Sequence, residues 1–260
     1  MVTLTGVRSD PAQLNTTATQ PAYRPDDQSD HAHRQLIGYI GLVLPILLIL
    51  IAVLRDGVVR WRSLESISAY YYTGAVAAFV GMLVSLALFL FTYRGYKNKY
   101  YWADRAASMT AAVAALGVAF FPTAAPDGVA TLSWWSTTTG VLHHVFAVVL
   151  FAMFSVFALW LFRITQSGEE ALPDKRWRNR VYLSCGIVIV ASVIWAGVAG
   201  LNGKSIFWPE SVALIAFAVS WLVKGYAYKT IADAARSLFR RQGALQFTVR
   251  TTGNSQAREM

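Results

Sequence analysis

Six stretches of mostly apolar residues follow one another along this chain, near positions 36–54, 69–93, 104–123, 138–162, 181–201 and 208–228. Each has about the length that crosses a hydrocarbon layer about 30 Å thick, at 1.5 Å per helical residue. In lipid every backbone N–H and C=O must be paired within the protein, so only helices and closed barrels span it. The runs are continuous and do not alternate, which selects helices. Of the 260 residues, 55% are hydrophobic and only 14% charged, against about 25% charged in soluble domains. No soluble core of this size hides that much apolar surface. The expected fold is therefore all-α, a polytopic membrane helix bundle with six transmembrane helices. Pro45 is expected to kink the first span, as membrane helices tolerate. Ala107, Ala111, Ala115 and Ala119 form a small-residue stripe on the third span, and Ser192, Ala196 and Gly200 one on the fifth. Such stripes let membrane helices approach closely.

The domain reading has three parts. Residues 1–34, rich in Thr, Gln, Pro and Asp, form a disordered cytoplasmic tail. Residues 35–229 form the six-helix transmembrane domain, and 230–260 a basic cytoplasmic helix with a disordered tail. No apolar signal region occurs in the first 30 residues, so the first span is expected to act as an uncleaved insertion signal. His31 and His33 are spaced like a weak metal pair without a third ligand and read as solvated tail. The lone cysteine, Cys185, excludes an intrachain disulfide and reads as a small buried hydrophobe. The segment 226–241 carries Lys229, Arg236, Arg240 and Arg241 and reads as a basic helix on an anionic leaflet.

Charge sets the sidedness. With six spans, 19 of the 23 Lys and Arg lie on the side of the two tails and 4 on the other, and the short loops alone divide 9 to 4. The positive-inside rule then puts both termini in the cytoplasm of a cell whose plasma (inner) membrane the chain crosses. Membrane flanking also accounts for the net charge of +9, so nucleic acid is not an expected partner. Membrane lipids are, and a protein partner or a second copy of the chain is a further candidate.

The polar residues that lipid flanking does not explain gather at the outward ends of the spans: Ser66, Ser68, Tyr70 to Thr73, Thr123, Asp127, His143, His144, Glu210 and Ser211. Glu210 lies 14 residues from Lys224 on one helix, about 21 Å at 1.5 Å per residue. Lys224 can snorkel to the inner headgroups. Glu210 is shorter and needs a partner, a proton or local water, although Pro209 as first helical residue would put it in a dipole-favoured first turn. His143 and His144 point about 100° apart, so they cannot both serve one site. One is expected to face the bundle, either bonded to a neighbouring helix or paired with Glu210 or Ser68. Tyr70 to Tyr72, Trp134 and Trp135 fit an interfacial aromatic belt, with one tyrosine, Tyr71, a candidate ligand contact. Asp104 is expected to cap the third helix. The ligand-binding candidates are Ser66, Ser68, Tyr71, His143 and Glu210, with no metal site and no cofactor expected. Lys224 lies too near the headgroups for a Schiff base, and no phosphate loop, zinc constellation or nucleophile elbow occurs.

The motifs Ser66-Ile-Ser68-Ala-Tyr70-Tyr71-Tyr72-Thr73, Phe120-Phe121-Pro122-Thr123, Leu142-His143, Phe207-Trp208-Pro209-Glu210-Ser211 and Ser220-Trp221-Leu222-Val223-Lys224-Gly225 resemble an uncharacterised bacterial family of six-span membrane proteins. The layout is similar to the wider group with the DRAM and Sfk-type proteins. The resemblance covers about 36–228 and implies six spans and His143 as the better match of the two histidines, but it lends no activity. Ceramidase-like hydrolases use three His around zinc, two of them on the last span. That span here has none, which removes the likeness. Two functions stay open: binding or moving a lipid or small ligand, or docking a partner, at an outward polar pocket; and intramembrane lipid hydrolysis or transfer using His143 as base and Glu210 as its orienter, with Ser66 or Ser68 as nucleophile.

Overall fold

A computed structural model describes residues 25–56, 65–95, 99–164, 174–232 and 236. All its regular structure is helical, with no strand among the described residues. Six α-helices follow in order: α1 Pro25–Asp56, α2 Val76–Thr92, α3 Tyr101–Phe120, α4 Thr137–Leu159, α5 Lys175–Leu201 and α6 Phe207–Lys224. Two 3-10 turns, Ser68–Tyr72 and Leu161–Arg163, precede α2 and follow α4. Among the described residues four helical stretches are long and apolar enough to cross a membrane: Asp30–Arg55, Thr137–Arg163, Lys175–Leu201 and Phe207–Lys224. The helix Val76–Thr92 is apolar but has only 17 residues, and the alanine-rich α3 carries Asp104 and Arg105 in its first turns.

The helices form a closed ring in which each packs on its neighbours in sequence and α6 closes onto α1. Small residues set the close contacts. A Cβ at Gly117 of α3 would sit 2.2 Å from the Phe146 ring of α4, and one at Gly38 of α1 would sit 3.0 Å from the Ala218 carbonyl oxygen of α6. Ala107, Ala111, Ala115 and Ala119 are all buried, so the stripe on α3 does make helix contacts. The stripe on α5 does not hold: Ser192 is buried, but Gly200 is exposed and meets only Ile206. Aromatic rings fill the centre. Phe154 of α4 stacks on Phe217 of α6 with centroids 3.6 Å apart, and Trp221 packs edge-on to Tyr93, Phe157 and Phe162. Large apolar side chains such as Ile46, Val148, Ile194 and Leu201 face outward, the inverse of a water-soluble surface.

Several boundaries differ from the expectation. Helix α1 begins at Pro25, so His31, His33 and Arg34 stand on a helix. His33 Nε2 lies 2.7 Å from the Phe89 carbonyl of α2, and Arg34 is buried. Their polar spacing hid a helix that packs inside the protein. Pro45 lies within a continuous α1. Helix α3 starts at Tyr101 with Tyr100 in the capping position, and Asp104 falls buried in the first turn. Pro209 is the third residue of α6, in the first turn, where a missing N–H costs no intrahelical bond. Residues 1–24, 233–235 and 237–260 lie outside the described residues, and with them the first part of the expected N-terminal tail, most of the expected C-terminal tail and half of the basic helix at 226–241.

Candidate functional site

The segment between Glu65 and Ala75 carries the site. It has no helical periodicity beyond one 3-10 turn, yet Ser66 to Tyr70 are all buried. Buried backbone outside a helix must find partners elsewhere; here the start of α6 supplies them, and two other elements hold side-chain hydroxyls of the segment. The Ile67 N–H donates to Glu210 Oε2 at 2.6 Å. The Ile206 N–H donates to the Glu65 carbonyl at 2.6 Å, so the start of α6 holds the segment at two points. The Tyr72 hydroxyl donates to the Thr123 carbonyl at 2.7 Å, just past α3. The segment also bonds itself, with Ser66 Oγ accepting from the Ala69 N–H at 3.0 Å.

His143, one turn and a half into α4, is buried and holds the fourth point. Its Nδ1 lies 2.6 Å from the Phe121 carbonyl and its Nε2 2.9 Å from Ser68 Oγ. A carbonyl only accepts, so Nδ1 carries the proton. In the neutral ring Nε2 then accepts from the Ser68 hydroxyl. This is the arrangement a serine nucleophile and its base require, with a backbone carbonyl as orienter. It is also what a satisfied structural hydrogen bond looks like.

Of the five ligand-binding candidates, the structure brings Ser66, Ser68, His143 and Glu210 onto one buried segment. Tyr71 lies apart in role: half-buried, it packs on Tyr72 and edge-on to Phe79. The pairing of Glu210 with His143 is not seen. The carboxylate binds a backbone amide instead, and Phe121 orients the histidine. His144 is exposed, with Nδ1 2.7 Å from the Gly140 carbonyl of its own helix. Ser211, beside Glu210, is buried, and its hydroxyl makes no hydrogen bond among the described residues. Asp127 is exposed. No group of three His, Cys, Asp or Glu that could hold a metal occurs among the described residues.

The opposite end corrects a second expectation. Lys224 does not snorkel: it is 1% exposed, with Nζ 3.5 Å from the Phe162 carbonyl. Arg34, Lys175 and Arg178 are buried there as well. The signal was present in the spacing. Arg178 continues the buried stripe of Tyr182, Cys185 and Ile189 on α5, and Lys224 that of Phe217 and Trp221 on α6. Comparison with protein-family models, with curated proteins and with solved structures gives no match.

Proposed function

We propose that the chain is a six-span inner-membrane protein, both termini cytoplasmic, that binds or moves a lipid headgroup or small solute at the end formed by Glu65–Ala75, His143 and Glu210. One observation carries this reading: a segment with no α-helix, buried from Ser66 to Tyr70, whose backbone and hydroxyl are held by polar side chains from two other helices. At membrane depth irregular backbone survives only inside protein or along a polar cavity, and in membrane transporters such broken segments carry the binding site. The buried hydroxyl of Ser211 adds a further hydrogen-bonding group there. The sidedness rests on the distribution of Lys and Arg. Membrane lipids are the expected partners. The test is ligand retention by purified wild-type protein against Glu210→Gln and His143→Gln. Loss of a bound lipid or solute in both variants supports the site, and unchanged retention of an identified ligand removes these residues from it. A reporter fused to the C-terminus that is active in the periplasm overturns the sidedness.

The Ser68–His143 contact favours a second reading, an intramembrane hydrolase or transferase. Ser68 Oγ would attack a lipid ester carbonyl while His143 Nε2 takes its proton and returns it to the leaving alcohol, and water or an acceptor alcohol, deprotonated by His143, would then take the acyl group from Ser68, which regains its proton. Labelling of wild type by a fluorophosphonate, lost in Ser68→Ala, supports it. Absence of labelling while a ligand is bound leaves the first reading.

A further inference from the structure

The carboxylate of Glu210 carries a charge that its contacts in the protein leave uncompensated. Oε2 accepts the Ile67 N–H at 2.6 Å, and an amide brings no net charge. Oε1 makes no hydrogen bond, and neither oxygen makes an ion pair, among the described residues. The described basic groups at this end are placed elsewhere. Arg55 Nη1 lies 3.5 Å from the Gly74 carbonyl, Lys204 is exposed, and the two nitrogens of His143 are taken by Phe121 and Ser68. An ionised carboxylate at membrane depth is costly unless a cation or a proton joins it.

The setting of Glu210 describes the cation. The residue is half-buried, so Oε1 is reached from the end of the bundle without opening a closed cavity. Along α6 it is followed at spacings of four, three and four residues by Leu214, Phe217 and Trp221, all buried. The carboxylate therefore stands on the face that α6 turns to the middle of the bundle. The outward face carries Trp208, Val212 and Ile215 instead, 55%, 36% and 40% exposed. Lipid acyl chains lie on that other side of the helix, which favours a ligand arriving from water at the end of the bundle. Aromatic rings stand close by. Phe207 lies one turn before Glu210, and Tyr70 ends a 3-10 turn after Ile67, with ring centroids 6.1 Å apart. This pair flanks the Ile67–Glu210 hydrogen bond, and ring faces attract ammonium groups.

We propose that Glu210 is the counter-ion for a primary ammonium group, carried by a small water-soluble organic cation. The proposal rests on the reading of this end as a binding site and names the class of its ligand. The ammonium supplies the N–H donor that Oε1 lacks and the charge that the Ile67 amide cannot bring. A quaternary ammonium brings the charge without the donor, and an alcohol brings the donor without the charge.

Those three probes test it. Full-length protein in detergent is titrated with ethylammonium chloride, tetramethylammonium chloride and ethanol at constant ionic strength, and the unfolding temperature is followed. Ethylammonium is expected to stabilise wild type in a saturating way and to bind at least about tenfold more tightly than the other two, the scale of one charge-assisted hydrogen bond. Glu210→Gln keeps an acceptor for the Ile67 N–H and removes the charge, so it should lose that preference. Asp127→Asn, at an exposed carboxylate of the same end, should keep it. Equal response to all three probes in wild type, or equal loss in Glu210→Gln and Asp127→Asn, overturns the proposal. Should Glu210→Gln not fold, the ranking of the probes by wild type still decides. No response to ethylammonium, with phosphatidylethanolamine retained by wild type over phosphatidylcholine and released by Glu210→Gln, overturns the soluble source and assigns the ammonium to a lipid headgroup. Another ligand that is lost in both Glu210→Gln and His143→Gln, without any ammonium preference, overturns this assignment and leaves the binding site standing. With no ligand retained at all, the assignment and the site fall together.

Discussion

His143 and Ser68, 75 positions apart in the chain, share a hydrogen bond of 2.9 Å at a site where both side chains are buried. The imidazole cannot turn away from it, because its other nitrogen is fixed on the Phe121 carbonyl. One side chain thereby joins α4 to the end of α3 and to the segment before α2.

Removing one partner of that bond leaves the other buried without its mate. Ser68→Ala and His143→Ala are each expected to lower stability by about 1–3 kcal/mol. The double variant should cost less than the sum of the two. A double-mutant cycle by unfolding in detergent checks this, and strict additivity would mean the contact carries no coupling.

Glu210 holds the amide of Ile67. Glu210→Ala is expected to speed hydrogen exchange at Ile67 and its neighbours by at least about tenfold, as the segment opens locally. Glu210→Gln keeps an acceptor oxygen and should fall between the two. Exchange that is unchanged in Glu210→Ala contradicts the role given to this carboxylate.

Gly117 faces the Phe146 ring too closely for a methyl group. Gly117→Ala should force α3 and α4 apart, at about 1–3 kcal/mol. The same change at Gly81, where a Cβ would meet nothing within 4 Å, should be near neutral. Paired thermal unfolding curves give the comparison.

At the basic end, burial raises the Asp174 carboxyl, but the Tyr228 hydroxyl donating to it, together with Arg178 and Lys229, outweighs this and holds it below its ordinary value of 3.8. A carboxyl lowered in the folded state stabilises above the unfolded value, and that contribution is lost as pH falls through the folded one. Wild type should therefore lose stability in steps below about pH 4, and Asp174→Asn should lose less over the same range. Parallel acid titrations that differ in no way would remove the network from the stability of the fold.

The apolar runs fixed where most of the helices lie, because the demand for about 20 apolar residues is strict in lipid. The alanine stripe of α3 announced its close packing for the same reason, since a small residue every four positions has few other uses. The segment Glu65–Ala75 was legible only as a gathering of polar residues. The groups that Glu210 and His143 bind there are the Ile67 amide and the Phe121 carbonyl, which every residue carries and no side chain advertises. The burial of Lys224 is hidden in the sequence because the length of a lysine makes snorkelling the default. Only the continuation of the buried stripe of Phe217 and Trp221 through Lys224 distinguishes it. Likewise the composition of residues 25–34 is that of a tail, yet they are helical and His33 docks on the Phe89 carbonyl.

The closure of α6 onto α1 bears on how the protein is made. Helix α1 finds its second neighbour only when α6 has been synthesised, and Glu210 arrives with α6. Until then Gly38 has no Ala218 to meet and the Ile67 amide has no carboxylate. A nascent chain halted before residue 207 would hold its early helices in an unsealed arc, open to whatever quality-control factors patrol the bilayer.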